Sequence, residues 1–199
     1  MPEPRHPSSA AISGLVLAAG FARRLGETKA LVEVGGRPAL RWALDTFAAV
    51  GGEGGVIVAG EARAEIAAAT PAGWSVVENP DPDAGRTGSL QCGLRALPGG
   101  PVLLWPVDRP FAAAATVRAV LAAPAAAEWV VPYADGRGHP VRFGAKAVAA
   151  IRAAAPDANL RAVLTDAVGD PLEVPVDDPR VHWNLDTPED VARVRTALG

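Results

Sequence analysis

The sequence predicts an α/β fold, a three-layer α/β/α sandwich around a mostly parallel sheet, on three observations. Short apolar runs of strand type alternate with longer stretches of helical spacing, the pattern of successive βα units. The runs are apolar throughout instead of alternating with polar residues, so both faces of their strands must be covered. No internal repeat and no linker-like stretch divides the chain, and one domain over residues 12–199 is expected.

Residues 12–18 (ISGLVLA) are expected to form the first buried strand, and residues 56–59, 74–77, 102–106 and 128–132 repeat its character. Between 38 and 50, Leu40, Leu44 and Phe47 recur at i, i+4 and i+7, one face of a helix whose first turn suits Pro38. Further helices are expected over 61–69, 89–97, 113–121, 145–154 and 159–164, several of them rich in alanine, which favours helix but adds little core. The last helix is the best marked, with Thr187 as N-cap, Pro188 at the first helical position, Glu189 and Asp190 in the first turn, and Val191, Val194 and Leu198 at apolar spacing. Residues 133–143 read as a hairpin around Asp135-Gly136-Arg137-Gly138. Residues 1–11 (MPEPRHPSSAA) lack the apolar core of a signal segment and are expected to be a disordered tail.

The 199 residues carry 19 Lys and Arg against 22 Asp and Glu, a formal net charge of −3. Such a balance excludes a protein that coats nucleic acid through a basic face, while leaving room for a local phosphate-binding cluster. A single cysteine, Cys92, excludes an internal disulfide and a cysteine-based zinc site, and its place in a helical run suits a small core residue. His6, His139 and His182 show no metal-ligand spacing. No apolar stretch approaches the ~20 residues of a membrane span, so no membrane partner and a cytoplasmic location are expected.

The loop after the first strand concentrates the chemistry. Leu17-Ala18-Ala19-Gly20 is followed by FARRLGETK, which places Gly20 and Gly26 beside Arg23, Arg24 and Lys29. In an open α/β sheet ligands bind at the carboxyl ends of strands. Glycines there let backbone N–H groups approach phosphate oxygens, and the cations offset their charge. The loop is neither a dinucleotide fingerprint nor a Walker loop. Asp108 ends the apolar run VLLWPV, so its carboxylate should emerge at the same edge, although a strand-end Asp read alone is equally a helix cap. Asp186 precedes the last helix, where Asp is common as well.

The wording LAAGxxxRxGxxK, followed by LVEVGGRPAL, closely resembles the opening of MobA-like nucleotidyltransferases, which transfer a nucleoside monophosphate from an NTP to a phosphorylated acceptor. The resemblance extends along almost the whole chain. Asn79-Pro80 with Gly85-Arg86-Thr87-Gly88-Ser89-Leu90 resembles the second substrate loop, and Pro106-Val107-Asp108-Arg109-Pro110 the metal-binding aspartate loop. Gly138-His139-Pro140-Val141 is similar to a segment of the molybdenum cofactor cytidylyltransferase (MocA-like) branch, and Asn184 through Asp190 to the closing motif.

The resemblance implies a Rossmann-like nucleotidyltransferase (glycosyltransferase-A-like) fold and a Mg²⁺-dependent transfer of CMP from CTP to molybdopterin or a related acceptor, with release of pyrophosphate. Arg24, Lys29 and Asp108 would be catalytic. Leu17, Ala18, Ala19, Gly20, Arg24, Lys29, Asn79, Gly88, Ser89 and Asp108 would hold the nucleotide, Asp108 and Asp186 the metal, and His139 and Asp157 the acceptor. A molybdoenzyme or its chaperone would be a further partner. Ala18-Ala19-Gly20 resembles CTP users, whereas GTP users commonly read Ala-Gly-Gly. Arg109 stands where Gln or Met often follows the metal aspartate, and Asn159 where glycine is common. GTP or another acceptor such as a sugar or alcohol phosphate is the nearest alternative. From other classes, the family includes oxidoreductases acting on quinoid dyes of the nicotine blue type, and a non-catalytic cofactor-binding protein is the third reading.

Overall fold

The structure, a computed structural model, describes residues 12–20 and 25–198, and the expected tail at 1–11 lies outside them. β1 (Ser13–Ala18) is followed by a two-strand ribbon of β2 (Glu33–Val34) and β3 (Arg37–Pro38), and then by α1 (Ala39–Ala49). Next come β4 (Gly55–Ala59), α2 (Arg63–Ala69), β5 (Trp74–Glu78), α3 (Arg86–Arg95), β6 (Val102–Pro106) and α4 (Ala114–Ala122). The second half runs β7 (Trp129–Tyr133), β8 (Val141–Phe143), α5 (Ala145–Ala153), α6 (Leu160–Val168), β9 (Leu172–Pro175) and α7 (Pro188–Leu198).

One seven-stranded sheet, ordered β5-β4-β1-β6-β8-β7-β9, carries the molecule. β8 alone runs antiparallel to its neighbours β6 and β7. The all-apolar strands have their physical reason in the two packed faces. Val16, Ile57, Leu103 and Trp105 pack with Leu40, Leu44 and Phe47 of α1, Ile66 of α2 and Val117 of α4. Leu15, Val58 and Leu104 instead pack with Leu90 of α3, Ile151 of α5 and Leu164 of α6. This is the expected three-layer sandwich. A third, smaller cluster joins Val34 of β2 and Val191 and Val194 of α7 to Phe111 and Leu185. No helix among the described residues is long and apolar enough to cross a membrane.

The departures from expectation have local causes. α3 begins at Arg86, three residues before the expected Ser89, because Gly85 takes φ 103°, a turn that only glycine makes readily. The β2–β3 ribbon closes through Gly35-Gly36, both at positive φ. Pro38 caps α1 at ψ 144° without entering it. At α7, Thr187 Oγ1 accepts from the Asp190 N–H, while Asp190 accepts in return from the N–H groups of Asp186 and Thr187.

Two buried charges tie the second half together. Arg142 on β8 donates to the carbonyls of Leu121, Ala123, Pro124 and Ala127, fastening the turn between α4 and β7. Asp178 accepts from the Ala113 N–H and from Thr116 Oγ1, both at 2.7 Å, so it caps α4 from a distant segment. Burial would push the Asp178 carboxyl up, but the Ala113 N–H, Arg180 and Thr116 outweigh it and hold the group below the usual carboxylate range.

Candidate active site

The carboxyl edge of β1 and β6 is drawn together by main-chain bonds. Val107 N–H donates to the Leu17 carbonyl at 3.0 Å, and Leu185 N–H to the Asp108 carbonyl at 2.9 Å. The second bond brings the segment before α7 against the loop after β6, far apart in sequence. Trp105 Nε1 donates to the Arg109 carbonyl and fixes the turn around Asp108.

Three of the sequence-predicted residues meet there. Lys29 Nζ lies 2.5 Å from Asp186 Oδ1 and 4.0 Å from Asp108 Oδ2. Asn184 Nδ2 donates to the other Asp186 oxygen at 2.7 Å, so the carboxylate is held on both sides. The hydrogen bond from Lys29 holds the Asp186 carboxyl below its ordinary range, against burial, with Asn184 and the charges of Lys29 and Arg109 adding to the effect. Two carboxylates thus converge on one cation. Among the described residues no group of three or more His, Cys, Asp or Glu is assembled for a metal. A pair of carboxylates nonetheless fits a hard divalent ion that completes its shell with phosphate oxygens and water.

Three cavities surround this cluster. One of about 250 Å³ is lined by Leu17, Ala19, Gly20, Lys29, Ser89 and Asp108, with Gly85 and Arg86. A second, about 280 Å³, lies toward β4 and β5 and is lined by Ala18, Ala19, Gly20, Glu61, Glu78 and Asn79. Asn79 is buried and bridges the two, because its Nδ2 donates to Ser89 Oγ while its Oδ1 accepts from the Asp81 N–H. The third, about 560 Å³, opens on the other side of β1 between the sheet and α6. Its floor is apolar, with Leu104, Val131, Val141, Phe143 and Trp129, and its rim carries Arg86, Arg137, His139 and Arg161.

His139 is half-buried at that rim, with Nδ1 enclosed and, among the described residues, without a hydrogen-bond partner. Burial, followed by the charges of Arg109, Arg86 and His182, pushes its pKa down to about 3, so the imidazole is neutral at working pH. Gly138 is pressed against Val181, where a larger residue would displace the loop that carries His139.

Not every expected residue is brought in. Gly88 donates its N–H to the Pro156 carbonyl at 2.8 Å, so that donor is already used within the protein. Asp157 is exposed and absent from the lining of the large cavity, which takes Ala158 and Asn159 instead. Asn159 itself is committed as the N-cap of α6. Arg24 lies outside the described residues. Trp183 packs toward Phe111 in the small cluster, and Cys92 is a core residue whose Sγ meets the Glu78 carbonyl. Sequence reasoning placed Arg86 and Asn184 inside motifs without giving either a role of its own, and did not single out Glu61 and Glu78, which line the cavity on the β4 side. Arg86 stands inside the glycine loop of residues 85–90, and that position was the available signal.

Comparison with known proteins identifies the family. The model of the MobA-like NTP transferase domain matches residues 14–172. The bifunctional enzyme IspD/IspF of Sphingopyxis alaskensis is 35% identical over 142 residues, which cover 66% of this chain and 35% of that enzyme. The chain therefore spans about a third of the length of that relative. The crystal structure of Rv0371c from Mycobacterium tuberculosis H37Rv superposes with a TM-score of 0.80 at 28% identity, covering 95% of this chain and 99% of that one. Rv0371c in complex with manganese gives a TM-score of 0.73 at 27% identity, over 94% and 100% of the two chains. The chain belongs to the MobA-like NTP transferase domain family.

Proposed function

We propose that this protein transfers CMP from CTP to the phosphate of molybdopterin or a related phosphorylated acceptor, with Mg²⁺ as the metal and pyrophosphate as the leaving group. The observation that carries the reading is the meeting of Lys29, Asp108 and Asp186 between a cavity on the β4 side and a larger one on the β8 side. The base would enter the smaller cavity beside Ala19, where the Glu61 and Glu78 carboxylates can accept from an exocyclic amine. The triphosphate would lie along Gly20, Ser89 and Lys29, with Arg24 as a further cation on it. Asp108 and Asp186 would hold the metal. The ion would supply charge screening and orientation for the triphosphate oxygens. Lys29, which fills the space between the two carboxylates here, would then turn its charge to the phosphates.

In the reaction an acceptor phosphate oxygen bonds to the α-phosphorus, while the bond to the pyrophosphate bridging oxygen breaks and its electron pair leaves with pyrophosphate. A phosphate monoester has a second pKa of about 6 and is largely a dianion at neutral pH, so no side chain need remove a proton. The chain's task is in-line positioning and the screening of two anions that repel. His139, kept neutral, would face the acceptor as a hydrogen-bonding group and not as a competing cation. The apolar floor with Phe143 and Trp129 favours an acceptor with a flat aromatic ring system, as a pterin has, over a polyhydroxylated one.

Base choice is tested by calorimetric titration. CTP should bind at least about tenfold more tightly than GTP, about 1.4 kcal/mol. Equal or reversed affinities would remove the cytidylyl assignment while leaving the transferase.

A further inference from the structure

The geometry points to Arg86 as a further catalytic residue, one that contacts both reacting phosphates at the seam between the nucleotide and acceptor cavities. This rests on the nucleotidyl-transfer reading above. Among the described residues, only Leu17, Arg86 and Pro106 line both the 250 Å³ cavity beside Lys29 and Asp108 and the 560 Å³ cavity beside His139. Two of those are apolar, so among the residues lining both cavities Arg86 alone offers charge or donors where the transferred group must pass. A guanidinium is suited to that place, because its planar fork can bond an acceptor oxygen and an α-phosphate oxygen at once.

Three further observations agree. Arg86 is exposed, and among the described residues it meets no carboxylate and makes no side-chain hydrogen bond, so its donors are available. Its charge reaches the acceptor side, since it helps to depress the pKa of His139. It also occupies the first position of the ten-residue α3, where a cation opposes the helix dipole. A residue retained for the helix would be acidic or neutral there. As the acceptor oxygen closes on the α-phosphorus and pyrophosphate departs, the two anions come closest at this seam, and a guanidinium fork bonding both acts most strongly in the transition state.

The test uses Arg86→Met, which keeps the stem and removes the guanidinium, and Arg86→Lys, which keeps the charge without the fork. Pyrophosphate release is measured with CTP, Mg²⁺ and molybdopterin, alongside CTP titration and thermal melting. Arg86→Met should lose at least about a hundredfold in kcat/KM for molybdopterin, while its CTP affinity falls by less than about tenfold and its Tm is not lowered. Arg86→Lys should recover less than a tenth of the wild-type value. Wild-type-like kcat/KM in Arg86→Met overturns the proposal, as does a hundredfold loss of CTP affinity, which would place Arg86 on the triphosphate alone. A lowered Tm in both variants, with kcat/KM per folded molecule unchanged, overturns it by making Arg86 structural. Absence of pyrophosphate release from the wild-type protein overturns the transfer reading itself, and with it the role of Arg86. That failure is distinguishable from the others because it shows in the wild-type protein, before any variant is compared.

Discussion

Asp108→Asn should release pyrophosphate at least a hundredfold more slowly than the wild-type protein, about 3 kcal/mol of lost transition-state stabilisation. The change preserves shape and removes one of the two negative charges that converge on Lys29. Asp186 keeps its closer bond to that lysine, so the fold should not suffer and Tm should stay within about 2 °C of wild type. Lys29→Ala should behave differently, weakening CTP binding as well as turnover, because an ammonium meets phosphates in the ground state too. Thermal melting alongside pyrophosphate release separates the roles. A cooler-melting Asp108→Asn with normal turnover per folded molecule would make Asp108 a structural residue.

The largest effect on stability is expected from Arg142→Leu. Arg142 is 7% exposed and donates to four carbonyls at 2.7 to 3.3 Å. Leucine would leave these part-buried acceptors short of donors, a loss of about 3 kcal/mol. For a chain of this size that corresponds to a fall in Tm of about 10 °C. Arg142→Lys should recover less than half, since one ammonium cannot span carbonyls spread over the turn from Leu121 to Ala127. A fall of less than about 2 °C in Arg142→Leu, measured by calorimetry, would mean that water replaces the guanidinium. CTP affinity measured well below Tm should be unchanged, because none of the four carbonyls lines the nucleotide cavities.

The sandwich was legible because its strands are apolar on both sides. Leu15 and Val16 face opposite layers, and only a doubly covered strand needs both. The β2–β3 ribbon was not legible, since two-residue strands carry no periodicity and their pairing rests on the Gly35-Gly36 turn. β9 was missed for another reason. It pairs only with β7, at the sheet edge, and its Leu172 is exposed, so burial leaves no pattern on LEVP. The hairpin at 133–143 was expected, but not that β8 would also pair with β6 and so sit inside the sheet.

At the site, Lys29 and Asp108 could be read from glycine, charge and strand ends. Asp186 could be linked to them only through the resemblance, because the bond from Leu185 to the Asp108 carbonyl is a main-chain contact with no signature in residue types. Gly88 shows the converse. Its residue type suits a phosphate loop, yet its N–H is taken by Pro156, which local sequence cannot reveal. Arg86 stands in the segment that resembles the second substrate loop, but that two cavities share it has no signature in the sequence.

Turnover separates a cluster that catalyses transfer from one that only binds a cofactor precursor. The most direct measurement is pyrophosphate formation by the wild-type protein with each of the four NTPs in turn, in the presence of Mg²⁺ and molybdopterin. Multiple turnovers of pyrophosphate are expected with CTP, dependent on molybdopterin and on the divalent ion. No pyrophosphate with any of the four, from protein that still binds CTP and melts cooperatively, would contradict a catalytic role for Lys29, Asp108 and Asp186.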